Sequence, residues 1–198
     1  MTDGILAALQ SREENEITQP LSGPLYIVTK RFTPNRGEEW TRYVVWSGLH
    51  QLREVVSLDS MLCPPVVKEI VADDWPYIVN QDFMTQYFRD LNYLLRRVGD
   101  LQNRSLLCLF QNPDSQPELP ATEFDFIFEG YDVIDIHGDV SALTNCGGFP
   151  EVFSNDELTE HGLLESLERA NQVKRKLAEQ YVGQARSHVW GLYRVQPI

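Results

Sequence analysis

Between Leu25 and Phe32 the chain reads LYIVTKRF, a run of β-branched and aromatic residues that predicts a strand. Thr33 to Gly37 carries turn chemistry, and Trp40 to Ser47 (WTRYVVWS) reads as a second strand, so the pair predicts an antiparallel hairpin. Leu49, Leu52, Val55 and Val56 then recur at helical spacing until Cys63-Pro64-Pro65 stops the run. Asp73-Asp74-Trp75-Pro76 has the acids and proline of a helix start. The strongest helical stripe spans Asp82 to Val98, through Phe83, Tyr87, Leu91, Leu94 and Val98, with Gly99 as its stop.

Strand patterns follow. Ser105 to Phe110 (SLLCLF) is a nearly continuous apolar run, as in a strand buried on both faces. Phe124 to Ile136 begins with clean alternation, Phe124, Phe126 and Phe128 against Asp125 and Glu129, and Gly130 marks a bend or bulge in it. His137 to Asp139 reads as a hairpin tip and Val140 to Thr144 as the return strand. Leu163 to Tyr181 is helical, with Leu163, Leu167, Ala170, Val173, Leu177 and Tyr181 on one face, and Gly183 ends it. His188 to Val195 (HVWGLYRV) is a closing strand. Asn145 to Gly162 has no clear period. Near the N-terminus, Asp3 to Glu16 has only Ile5, Leu6 and Leu9 to anchor a short helix, so the expectation for residues 1–20 is a loosely docked N-terminal helix and lead-in.

Strands grouped in this way predict an α+β fold rather than alternating βαβ units. The expectation is one domain over residues 1–198, with a mostly antiparallel sheet of five to six strands and helices packed mainly on one face. At 198 residues the chain is long enough to bury a sizeable core without staples.

Charge changes this picture more than composition does. The formal net charge is −12, from 29 acids and 17 bases. From Ser105 to Glu168 there is no Lys or Arg, yet that stretch holds 14 acids, which leaves 15 acids against 17 bases elsewhere. Anionic membrane and nucleic acid are repelled by such a balance. The bland account is a solubilising surface neutralised by bases folding back from the rest of the chain. The sharper one is an acidic face that steers a basic partner. Its expected contact residues are Asp132, Asp135, Asp139, Glu151, Asp156 and Glu157. No stretch has the ~18 apolar residues of a membrane span, and the N-terminus lacks the charged lead of a secretory signal. Three scattered cysteines, Cys63, Cys108 and Cys146, fit reduced thiols in the cytoplasm.

Candidate chemistry is sparse. No P-loop, GxSxG, HExxH or strand-following GxGxxG is present, and no cofactor is implied. Asn145-Cys146-Gly147-Gly148 could present a thiol beside exposed backbone NH groups, with His137 and Asp135 as neighbours; this is the nucleophile-and-base alternative, a small hydrolase or transferase using Cys146 and His137. Asp135, His137 and Asp139 alternate, so on a continuous strand they would share a face and suit a divalent metal, but Gly138 argues for a turn that splays them. The aromatics Trp40, Trp46, Trp75 and Trp190 are mostly core residues, although Lys30, Arg31, Arg36 and Arg42 accompany Trp40 and Tyr43 in the first predicted hairpin. His50, His161 and His188 are isolated, and the apolar surroundings of His50 and His188 suit partners of the core. A small acidic α+β chain without catalytic motifs has the profile of an inhibitor of a basic toxin or nuclease, as bacterial immunity proteins do. That analogy is one of size and charge.

Overall fold

The computed structural model describes residues 21, 23–79, 85–145, 149–181 and 186–198. The N-terminal helix expected at Asp3 to Glu16, the start of the Asp82 helix, Cys146 and Gly183 lie outside these residues. The fold is α+β. Six antiparallel strands form one sheet: β1 (Leu25–Lys30), β2 (Ile78–Val79), β3 (Tyr87–Phe88), β4 (Arg104–Gln111), β5 (Phe124–Ile134) and β6 (His188–Pro197), in the order β2-β3-β1-β4-β6-β5. Among the described residues three α-helices accompany the sheet: α1 (Glu38–Ser47), α2 (Leu91–Val98) and α3 (Leu167–Gln180).

The central strands alternate between two apolar layers, because successive side chains point to opposite faces. Leu25, Ile27, Leu107, Leu109, Trp190 and Leu192 pack with Val56, Leu58 and Leu163. Tyr26, Val28, Leu106, Cys108, Tyr193 and Val195 pack with Leu91 and Leu94 of α2. Ala170, Val173 and Leu177 of α3 cover Val133 and Val189, which pair with each other and by register share the face of Tyr193. Asp90 caps α2 by accepting from the Tyr93 NH at 2.7 Å, and Gly99 at φ 72° ends it.

The first hairpin is not formed. Trp40 to Ser47 is helix α1, not strand, and packing overrides its β-rich composition. Trp40 and Tyr43 are buried with Val44 partly so, the i, i+3, i+4 spacing of one helix face. Glu38 and Glu39 sit in the first turn, and Gly48, left-handed at φ 71°, closes the last. The expected helix after Leu49 is instead irregular chain bonded to distant backbone: Arg53 NH to Glu160 O (2.9 Å), Val55 NH to Phe32 O (2.9 Å) and Val56 NH to His161 O (3.0 Å). Its apolar residues are buried, as the spacing implies, but by an extended path. Ala72–Asp74 is a single 3-10 turn, and Tyr87–Phe88 pairs as a strand before α2 begins. After the tip at His137, the return strand is reduced to one bridge between Ile134 and Ser141.

Gly130 does mark a bulge. Phe128 faces Tyr193 and Gly130 faces Leu192, so Glu129 is the extra residue in the ladder. Gly130 adopts φ 141°, and a Cβ there would lie 2.6 Å from Leu163 Cβ. Beyond the bulge, Leu164 and Ser141 bridge to the outer edge of β5. Before it, Ile127 and Phe128 are exposed at that edge.

Candidate functional site

The six acids expected to form one surface fall into three places. Asp132 is not on the surface: β5 turns it inward beside Trp190's position in β6, and it is 0 % exposed. Its Oδ2 accepts from Ser57 Oγ (2.6 Å), and its Oδ1 from Ser141 Oγ (2.6 Å) and the Val133 NH (2.8 Å). Burial pushes its pKa up to about 6 against these stabilising bonds, and the neighbouring Asp59 raises it further. Asp59, equally buried, accepts from the NH groups of Met61 and Leu62 on Oδ1 and from the Ser141 NH and Asn145 Nδ2 on Oδ2. The serines extend the web: Ser57 Oγ accepts from the Asp59 NH, and Ser141 Oγ from the NH groups of Leu143 and Thr144. These two carboxylates tie the irregular segments 57–62 and 141–145 together. Both oxygens of each are hydrogen-bonded, three bonds at Asp132 and four at Asp59, which gives them structural work.

Asp135 and Asp139 are half-buried at the hairpin tip. Asp135 Oδ1 accepts from the NH groups of Asp139 and Val140, both at 3.1 Å, and closes the turn. Gly138 takes φ 76°, its carbonyl accepts from Tyr87 Oη at 2.9 Å, and His137 is left exposed. Burial and the nearby Asp135 raise the pKa of Asp139. The alternating trio therefore does not converge, and among the described residues no group of three His, Cys, Asp or Glu side chains is arranged to hold a metal ion. The turn at Gly138 is the physical reason. Cys146 lies outside the described residues, so its pairing with His137 has no geometry to weigh. Cys63 and Cys108 are buried, and burial raises both thiols well above the usual range.

Glu151, Asp156 and Glu157 lie in the segment before α3, all exposed. Val152 and Phe153 anchor this segment in the core, and Ser154 and Glu157 cap a 3-10 turn over Asn155–Glu157. Glu151 accepts from Tyr181 Oη at 3.2 Å, and Glu157 is held by Arg169. Among the described residues Asp156 has no side-chain partner. Asn155 donates to Ser47 O (3.1 Å) and its carbonyl accepts from Gln51 Nε2 (2.7 Å), which joins the segment to the end of α1. The last turn of α1 carries Val45 and Trp46, 70 % and 59 % exposed. Trp46 rests against Tyr43, with ring centroids 6.2 Å apart.

A second charged cluster went unnoticed in the sequence. Glu54, 5 % exposed, takes a bidentate pair from Arg31 (2.7 and 2.6 Å) and a further contact from Arg194. Arg194 also donates to Glu129 at 2.6 Å, and Glu129 holds His161 Nδ1. Burial alone would raise both carboxyls; the arginines, and His161 at Glu129, draw them below the usual range instead. The Glu129 bond raises the pKa of His161. The five residues come from five separate parts of the chain, so no local spacing could reveal them. Arginines from outside the base-free stretch meet three of its acids, Glu129, Glu157 and Glu160. His188 is a core partner as expected: Asn112 Nδ2 lies 2.8 Å from its Nδ1, and burial with Lys174 lowers its pKa to about 4. His50 is exposed instead.

Compared with protein-family models, curated proteins and solved structures, the chain matches none. Among the described residues no helix is long and apolar enough to cross a membrane.

Proposed function

We propose that the protein is a cytoplasmic, non-enzymatic binding protein that engages a basic protein partner, in the manner of an inhibitor or immunity-type protein. The observation that supports this is the pairing of an exposed acidic segment, Glu151 to Glu157, with the exposed Trp46 and Val45 where α1 touches it at Asn155. An aromatic anchor bordered by charge is the usual make-up of a protein-binding patch: the ring supplies most of the affinity and the acids supply encounter rate and choice of partner. Of the residues first expected to make contact, Glu151, Asp156 and Glu157 fit this role and Asp132 does not.

The test is capture of partners from the native cell at low and high salt, with wild type and with a Glu151→Lys/Asp156→Lys variant of unchanged melting temperature. The reading expects a basic protein retained by wild type at low salt, released at high salt and absent from the variant. Identical capture by both proteins would reduce the acidic segment to a solubility device.

A further inference from the structure

A basic cleft of about 500 Å³ is lined by Arg31, Thr33, Asn35, Arg36, Arg53 and Asn103. From this lining we infer a binding site for the phosphate group of a small soluble ligand. The volume falls within the ~300–1,000 Å³ of small-molecule sites. Among the described residues its lining contains no carboxylate side chain, although the chain carries 29 acids.

Each guanidinium is paired with a carboxylate outside the lining and keeps donors to spare. Arg31 uses Nε and one N–H of Nη2 on Glu54, and three of its five N–H bonds remain. Buried Glu54 is thus the positioning residue for an arginine that lines the cleft. Arg36 lies 6.0 Å over the Phe32 ring, spends Nε on the Arg31 carbonyl and pairs through Nη1 with Glu39 at 3.6 Å, which leaves its Nη2 donors for a ligand. Arg53 spends Nε on Glu160. The turn that presents Arg36, Pro34–Arg36, begins at Thr33, whose side chain makes no capping bond, so its hydroxyl is available to a ligand. Planar guanidinium forks, that of Arg31 oriented by its bidentate pair, together with hydroxyl and amide donors match the acceptor-only oxygens of a phosphate. This site is built from parts of the chain that the acidic segment does not use, and it stands or falls separately from the partner-binding reading.

The experiment is titration calorimetry of the full chain with inorganic pyrophosphate and with a nucleoside diphosphate, each repeated on an Arg36→Gln/Arg53→Gln variant whose circular dichroism matches wild type. The expected result is saturable binding of pyrophosphate with Kd below about 1 mM, weakened at least about tenfold in the variant. Equal affinity for the two ligands places recognition in the phosphates alone, and tighter binding of the nucleotide adds its organic part; both support the site. No heat with either ligand, or the same Kd in the variant, overturns it.

Discussion

Asp132 and Asp156 belong to the same base-free stretch, yet one carboxylate accepts three hydrogen bonds in the interior and the other is exposed, with no side-chain partner among the described residues. Their local sequences give little warning. Asp132 is in a strand that begins with alternation, and its neighbours Tyr131 and Val133 are buried as well. What separates the two is which polar groups the fold delivers to them. Two serines and a backbone NH converge on Asp132, while Asp156 sits on a short turn capped by its neighbours. Net charge counts both equally; stability does not.

The sharpest way to break this contrast is truncation. Asp132→Ala leaves two buried hydroxyls and the Val133 NH without their acceptor and is expected to cost about 3 kcal/mol or more in urea denaturation. Asp156→Ala should fall within about 0.5 kcal/mol of wild type. Comparable costs would mean that the buried web is not what holds segments 57–62 and 141–145 together.

The pH profile sharpens it further. Asp132 has a folded pKa near 6, above the ordinary value of 3.8, so between those two pH values the folded state keeps a proton that the unfolded state gives up. That contribution is therefore fully present below about pH 4 and is lost as the pH rises through 6, with a limit near 3 kcal/mol. Asp132→Asn should remove that fall between pH 4 and 6. His161, also raised, acts in the same sense but in a higher window, above its ordinary 6.5. An unchanged slope in the Asn variant would assign the titration elsewhere.

Glu129 is the intermediate case, buried but shared between Arg194 and His161. Glu129→Gln keeps an acceptor and removes the charge, so its expected cost is about 2 kcal/mol, less than Asp132→Ala. The smallest effect belongs to Glu157→Gln, which weakens a partly exposed pair with Arg169, and less than about 1 kcal/mol is expected by thermal denaturation.

Strands with one dominant period were legible in the sequence. The β1, β4, β5 and β6 segments all lie where alternation or continuous apolar runs placed them, and α3 lies within its predicted stripe. The errors arose where composition and period disagreed. Trp40 to Ser47 looked like a strand because β-branched and aromatic residues dominate it, while Glu38-Glu39 and Gly48 were the helix signals that governed. Leu49 to Val56 kept a helical spacing although its backbone bonds run to Phe32, Glu160 and His161. Of the candidate contact residues, exposure followed from loop position for Glu151, Asp156 and Glu157. It failed for Asp132, whose serine partners come from distant segments, and the Glu54 cluster was invisible for the same reason.

A flush antiparallel ladder between β5 and β6 is one deletion away. Remove Glu129, and Phe128 would be followed by Gly130 with no interruption of the pairing. The sheet would gain regularity, and the interior would lose the anchor of Arg194 and His161. The irregularity is thus the means by which one residue is lifted out of the repeat and given an individual task. Ordered pairing makes every position in a strand equivalent to its second neighbour; the extra residue breaks that equivalence at a single place. In a lineage of such chains, an aligned gap at Glu129 would be the mark of a molecule that had abandoned its buried ion cluster while keeping its sheet.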